Sequence, residues 1–158
     1  ADYFIMAEAR DGVALDTALR AASKGTRRMK ITFHTREPYD FPYDVASEIV
    51  HSKGGEIRFE ARRAASAFDY IFHFIQLSDK SKKRLRGIYE ISFDRQTEKI
   101  RIFPICLYEG ERDGWNWFYR ISQGKREAGM EENRELFGQF ETRLRELSHS
   151  SKSAPRAD

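Results

Sequence analysis

The sequence predicts an α/β fold: a strand–helix–strand unit with parallel strands, then an antiparallel β region, then a C-terminal helix. Three observations carry this. Tyr3-Phe4-Ile5-Met6-Ala7 is a short apolar run that passes into Glu8 and then Arg10, the pattern of a buried strand delivering a polar side chain at its C-terminal edge. Met29-Lys30-Ile31-Thr32-Phe33 repeats the pattern and delivers His34. From Phe68 the apolar spacing changes from helical to extended, and it becomes helical again over Glu131–Leu147. A crossover between the first two strands places Glu8 and His34 at equivalent ends, on one rim of a parallel sheet. In open α/β sheets that rim is where ligands bind.

Each element has its own signal. Val13 to Lys24 is a helix: Ala14, Leu15, Ala18, Leu19 and Ala22 recur at helical intervals, with Asp16, Arg20 and Lys24 outside them. Asp11 supplies an N-cap and Gly25 a C′ residue. Arg36 to Pro42 reads as a loop with two prolines. Tyr43 to Lys53 is a helix with Val45, Ile49 and Val50 inward, stopped by Gly54-Gly55, and Glu56 to Ala67 is a third helix. Asp69 to Leu77 is apolar on both faces and reads as a buried strand that encloses His73. Ser78 to Arg84 is a lysine-rich turn. Gly87–Phe93 and Lys99–Leu107 flank Asp94 to Glu98 as a β-hairpin. A charged connection over Tyr108–Gly114 leads to an edge-like strand over Trp115–Ile121. The final helix sets Leu136, Phe140, Leu144 and Leu147 on one face. The domain reading is 1–66 for the parallel unit and its helices, 67–147 for the β-rich extension and last helix, and 148–158 for a disordered tail.

Composition sets bounds on function. The 158 residues suffice for one domain with a core. With 28 basic and 25 acidic side chains, the net charge of +3 argues against a polyanion partner. Mean hydropathy is −0.70, and no apolar run approaches a membrane span. Cys106 is the sole cysteine, which excludes an internal disulfide and fits a reducing compartment. The four histidines show no metal-ligand spacing. There is no signal-peptide pattern, and the chain opens on Ala1 directly against a strand, as a fragment of a longer polypeptide would.

Asp2 to Arg10 resembles the Walker B segment of the type II/type IV secretion system ATPases, an acid, a hydrophobic run, Gly-Glu, a branched residue and Arg. Thr32-Phe33-His34-Thr35 resembles their His box. The nearest likeness is to the Flp/tad pilus-assembly branch found in Gram-positive bacteria. It continues through Ala67-Phe68-Asp69-Tyr70, Ile88-Tyr89-Glu90-Ile91, Gly114-Trp115-Asn116-Trp117 and Ile121-Ser122, so it covers residues 2–122.

The resemblance implies the C-terminal part of a RecA-like P-loop NTPase domain that couples ATP hydrolysis to pilus assembly or protein export. It implies Glu8 as the residue that orients the attacking water and organises Mg²⁺ through a water, with His34 contacting or sensing the γ-phosphate. Arg10 would support Glu8 or the phosphate, and Thr32 would lie at the nucleotide. ATP and Mg²⁺ are the implied cofactors. Identical subunits in a hexameric ring and an inner-membrane platform are the implied partners, at the cytoplasmic face of the membrane. The phosphate-binding G-x-x-x-x-G-K-[ST] loop is not in these residues; Lys24-Gly25-Thr26 has the order reversed and ends a helix where a P-loop begins one. This chain alone is therefore expected neither to bind ATP tightly nor to hydrolyse it.

The family pattern is broken at Ala7, where Gly is usual, and at Thr26, where His is common. Two alternatives stand beside the motor reading. One is a degenerate, non-hydrolysing interaction module, docking through Trp115/Trp117 and the last helix. The other is a nucleic-acid-binding domain using Lys80, Lys82, Lys83, Arg84 and Arg86 with Arg27, Arg28 and Lys30. The near balance of charge weighs against the second.

Overall fold

Helix α1 (Gly12–Ser23) starts at the residue that the sequence marks. The Asp11 carboxylate accepts a hydrogen bond from the Ala14 amide at 2.8 Å, satisfying one of the donors that a helix start leaves without a partner. Gly25 follows the helix at φ +92°. The computed structural model describes residues 4–26 and 28–151; Asp2, Tyr3, Arg27 and the stretch 152–158, on which some of the sequence readings fall, lie outside the described residues.

On either side of α1, strands β1 (Phe4–Met6) and β2 (Met29–Ile31) pair in parallel, with Phe4 opposite Met29 and Met6 opposite Ile31. Helices α2 (Phe41–Lys53) and α3 (Ile57–Ala67) follow. The loop expected over Arg36–Pro42 is shorter than its two prolines suggest. Pro38–Asp40 forms a 3-10 turn, and Pro42 sits in the first turn of α2, where a missing amide costs nothing. Gly54 and Gly55 stop α2 at φ +78° and +114°.

By its internal contacts the chain divides into two units, residues 1–69 with 91–101 and residues 70–90 with 102–158. The core of the first is made by Leu15, Ala18 and Leu19 of α1, Val45, Ala46 and Ile49 of α2, and Ala61, Ala64 and Ala65 of α3. Phe41 stands between Phe33 and Phe68 in two edge-to-face contacts, with centroids 5.6 and 5.4 Å apart. Small residues let the helices approach closely. A Cβ on Gly12 would lie 2.2 Å from the Glu48 carbonyl oxygen and 2.4 Å from the Ser52 hydroxyl.

Asp16 corrects the helical-wheel reading, which set it on the outer face of α1. It is buried, and so is Glu60 of α3. One Asp16 oxygen accepts from Lys53 of α2 and Arg63 of α3, both at 2.9 Å, and the other from Arg20 at 2.8 Å. Arg63 also reaches Glu60 at 2.6 Å. Three helices are thus tied at one carboxylate. Burial alone would raise its pKa, but the hydrogen bonds from Lys53, Arg63 and Arg20 outweigh burial and hold it well below the usual carboxylate range.

The second unit is built on a four-stranded sheet in the order β3-β4-β5-β6: β3 (Tyr70–Gln76), β4 (Lys83–Asp94), β5 (Lys99–Glu109) and β6 (Gly114–Trp117). The tip of the β4–β5 hairpin belongs to the first unit. Three expectations change here. β4 starts at Lys83, inside the expected turn. The last strand ends at Trp117 and not at Ile121. β3 is not enclosed: Phe72 and Phe74 are 58 % and 62 % exposed. Alternation of large apolar residues on both faces looked like two-sided burial, but only one face is covered.

Helix α4 spans Gln123–His149, starting well before the expected Glu131. Ser122 caps it, its hydroxyl accepting from the Lys125 amide, and its own amide donates to the buried carboxylate of Glu90 at 3.1 Å. Asn133 breaks the helix at φ −157°, ψ 92°, and its side chain accepts from the Leu136 amide at 2.9 Å, the geometry of an internal N-cap. The two arms fold back on each other. Arg126 pairs with Glu141, and the Phe137 ring fills the space over Gly129, where a Cβ would come within 2.2 Å of it. Of the apolar face read from the sequence, Leu144 is buried while Leu136 stays exposed. The fold is thus mixed α/β, with a two-stranded parallel sheet, a four-stranded antiparallel sheet and a C-terminal helix.

Removing one member of a buried charge network leaves the others uncompensated. Asp16→Asn is therefore expected to lower stability in urea melts at neutral pH by about 3 kcal/mol. The folded-state pKa is lowered, so the Asp16 contribution is complete above the unfolded value of about 3.9 and is lost as pH falls toward the folded one. The wild type should lose stability below about pH 4, and Asp16→Asn should show less of that loss.

Candidate functional site

The site begins with an irregularity in a backbone ladder. Beyond β1 and β2 the parallel pairing continues: the Thr32 amide donates to the Met6 carbonyl at 3.3 Å, and the Thr32 carbonyl accepts from the Ala9 amide at 3.0 Å. In a regular parallel ladder one residue bonds to positions i−1 and i+1 of its neighbour. Here the two partners are three apart, so Ala7-Glu8 holds one residue too many. It is a bulge, the device that re-aims a side chain beside many active sites. The bulge turns the Ala7 carbonyl, which a regular ladder would point away from β2, toward the Thr32 hydroxyl, and it accepts a hydrogen bond from that group. Thr32 therefore acts as a brace for the turn that presents Glu8.

Glu8, Arg10 and His34 converge beyond that bulge. One Glu8 oxygen, Oε1, lies 2.6 Å from Arg10 Nε and 3.6 Å from His34 Nε2. Ala9 between them is buried and anchors the segment. The His34 side chain is 94 % exposed and that of Glu8 36 %, so both face solvent at the C-terminal rim of the parallel pair. Arg10 pairs with Glu8, one of the two partners that the resemblance implies for it, while Asp11 is engaged as the cap of α1.

Electrostatics follow from that geometry. The hydrogen bond and charge of Arg10, with a smaller contribution from His34, hold the Glu8 carboxyl below its ordinary pKa. The Arg10 guanidinium is shifted upward in return, chiefly by its hydrogen bond with Glu8. Glu8 is therefore a fixed anion at neutral pH. A carboxylate of lowered pKa is a weak proton acceptor, and it is better suited to orienting a polarised water or a hydrated cation than to removing a proton outright.

Among the described residues, no group of three or more His, Cys, Asp or Glu side chains could hold a metal ion. The donors at this rim are one carboxylate and one imidazole. They do not make a zinc or calcium cage, but a single carboxylate fits Mg²⁺, which keeps several waters and takes its other ligands from phosphates. Cys106 is buried, and burial pushes its thiol up to about 12, far from a reactive thiolate.

Of the residues singled out from sequence, the structure brings Glu8, Arg10, His34 and Thr32 to one place. His51 lies in the last turn of α2 and His149 in the last turn of α4. The bulge went unseen in the sequence. Its only trace there is a threonine at the position facing the strand end, a residue that can supply a hydroxyl where a carbonyl loses its partner. A scan of known protein families and a search of curated proteins return no match for this chain. Among the described residues, no helix is long and apolar enough to cross a membrane.

Replacing Arg10 by alanine should release Glu8 toward its ordinary pKa, read by NMR titration of the side-chain carboxyl. Because Arg10 is exposed, thermal stability should barely change. An unmoved Glu8 titration would show that the ion pair does not persist in solution.

Proposed function

We propose that this chain is the C-terminal part of a secretion or pilus-assembly ATPase of RecA-like origin. One observation carries the reading: Glu8 and His34, the residues that the Walker B and His-box resemblances single out, come together within 3.6 Å at the C-terminal rim of a parallel strand pair. That rim is the ligand edge of α/β sheets.

In this reading Glu8 orients the water that attacks the γ-phosphate and holds Mg²⁺ through a coordinated water. Bound Mg²⁺ would neutralise charge on the phosphates. His34, exposed and one strand away, contacts the γ-phosphate and reports its loss. Arg10 keeps Glu8 ionised and in place. Thr32 acts on the nucleotide indirectly, through the bulge that it braces. The P-loop would come from an upstream part of the polypeptide, with identical subunits in a hexameric ring and an inner-membrane platform as partners, at the cytoplasmic face.

A second reading has its own observation. The 2.6 Å ion pair to Arg10 engages the same Glu8 oxygen that faces His34. If that pair persists with nucleotide present, Glu8 is neutralised at the point of attack, and the chain is a non-hydrolysing module of the same family.

The two readings separate in the longer polypeptide that carries the P-loop. Glu8→Gln preserves size and hydrogen bonding but removes the charge, so the motor reading expects ATPase activity to fall on the order of 10²-fold or more. Activity unchanged by the substitution would refute a role for Glu8 in hydrolysis. An inactive wild type that still binds ATP would support the non-hydrolysing module. The isolated chain is expected to show no tight ATP binding by calorimetry.

A further inference from the structure

The two edges of the four-stranded sheet are treated differently by the fold. β6 is short, and α4 packs along it. The Trp117 amide, which points away from β5, donates to the Ser151 hydroxyl at 2.8 Å, so the segment just after the last helix occupies part of that edge. β3, the other edge, is seven residues long and contains no lysine, proline or other charged residue between Tyr70 and Gln76. These are the devices by which natural edge strands avoid pairing with one another. The ladder irregularity beside β3 falls on β4, where Arg86 is the extra residue, so β3 itself remains regular. Phe72 and Phe74, on one face of this strand, are both more than half exposed.

Hydrogen-bond phase sets how this edge can be used. The Ile91 amide donates to the Asp69 carbonyl at 2.9 Å, which marks the pair 69–91 as hydrogen-bonded. Alternation then turns the backbone of Ile71 and His73 toward β4 and that of Phe72 and Phe74 outward. The residues with exposed rings are thus the ones whose amide and carbonyl groups face away from the sheet.

We infer that β3 is a self-association edge, which pairs antiparallel with β3 of a second copy of this chain about a two-fold axis at His73. In that register Phe72 lies opposite Phe74 of the second copy, and Phe74 opposite its Phe72. The outward backbone groups of both pairs are satisfied, and two aromatic cross-strand contacts form on one face. Charge selects a second copy in this orientation. The strand begins beside Asp69 and ends at a turn that bears Lys80, Lys82 and Lys83 against a single Asp79. Antiparallel pairing sets each basic turn near the acidic end of the other strand, whereas parallel pairing would stack two basic turns side by side. Because the contact is isologous, pairing through β3 joins two copies and goes no further.

Sedimentation velocity of the whole chain over a hundredfold dilution series tests this. A reversible monomer–dimer equilibrium is expected, and Phe74→Lys should raise the dissociation constant about tenfold or more. Ile5→Lys, at the exposed edge of the parallel pair, should leave it unchanged. Should Phe74→Lys disturb folding, amide exchange on the wild type gives the same answer: Phe72 and Phe74 amides should be protected at high concentration and lose protection on dilution. A wild type that stays monomeric at all concentrations would overturn the proposal. So would a dimer that Ile5→Lys abolishes and Phe74→Lys does not.

Discussion

The parallel register of β1 with β2 is the constraint on which the candidate site depends. With Met6 opposite Ile31, Thr32 falls beside the strand end, and one surplus residue must be absorbed before Ala9 rejoins the ladder. Absorbing it as a bulge hands the Thr32 carbonyl to the Ala9 amide and brings the Ala7 carbonyl to the Thr32 hydroxyl, which donates to it. The outcome is a Glu8 side chain turned toward His34. Were the register to slip by one residue, the strand faces would exchange and the carboxylate and imidazole would part.

A strand pair of three residues each cannot hold itself. Its stability comes from the helices of the first unit, where α1 lies against α2 closely enough that Gly12 admits no side chain. Alanines at the crossings bring the helices near, and Asp16 then ties all three together through Arg20, Lys53 and Arg63. The two features serve different ends. Close apolar packing supplies the favourable burial, while a buried ion network contributes less to stability than to fixing one arrangement of the helices. Glu8, by contrast, is exposed and engages only its two neighbours at the rim, Arg10 and His34.

Where local chemistry decides, the fold was readable from sequence. Asp11, Gly25 and the Gly54-Gly55 pair mark helix ends because caps and positive φ depend on single residues. Both strands of the parallel pair were readable from apolar runs that end in a polar residue, but not as buried strands: Ile5 is 70 % exposed, since a two-stranded sheet leaves both strands at an edge. Readings failed where a neighbour decides. Asp16 looks like a surface residue until Lys53 and Arg63, distant in sequence, surround it. The alternating aromatics of β3 cannot tell a covered face from an open one. α4 was truncated in the reading because Gly124 and Gly129 weaken the helical signal, although Phe137 requires the second of these glycines. At the site, residue types were legible and their convergence was not. The 2.6 Å pair of Arg10 with the Glu8 oxygen that also faces His34 depends on the bulge, which leaves no periodic mark in the sequence.

The proposed function sets Glu8 and His34 at the γ-phosphate end of a nucleotide site. Photolabelling of the P-loop-bearing polypeptide with an ATP analogue that carries its reactive group on the γ-phosphate tests it most directly. Adducts are expected on the segments around Glu8 and His34, suppressed by excess ATP. Adducts that form only elsewhere, with ATP competing for them, would contradict it.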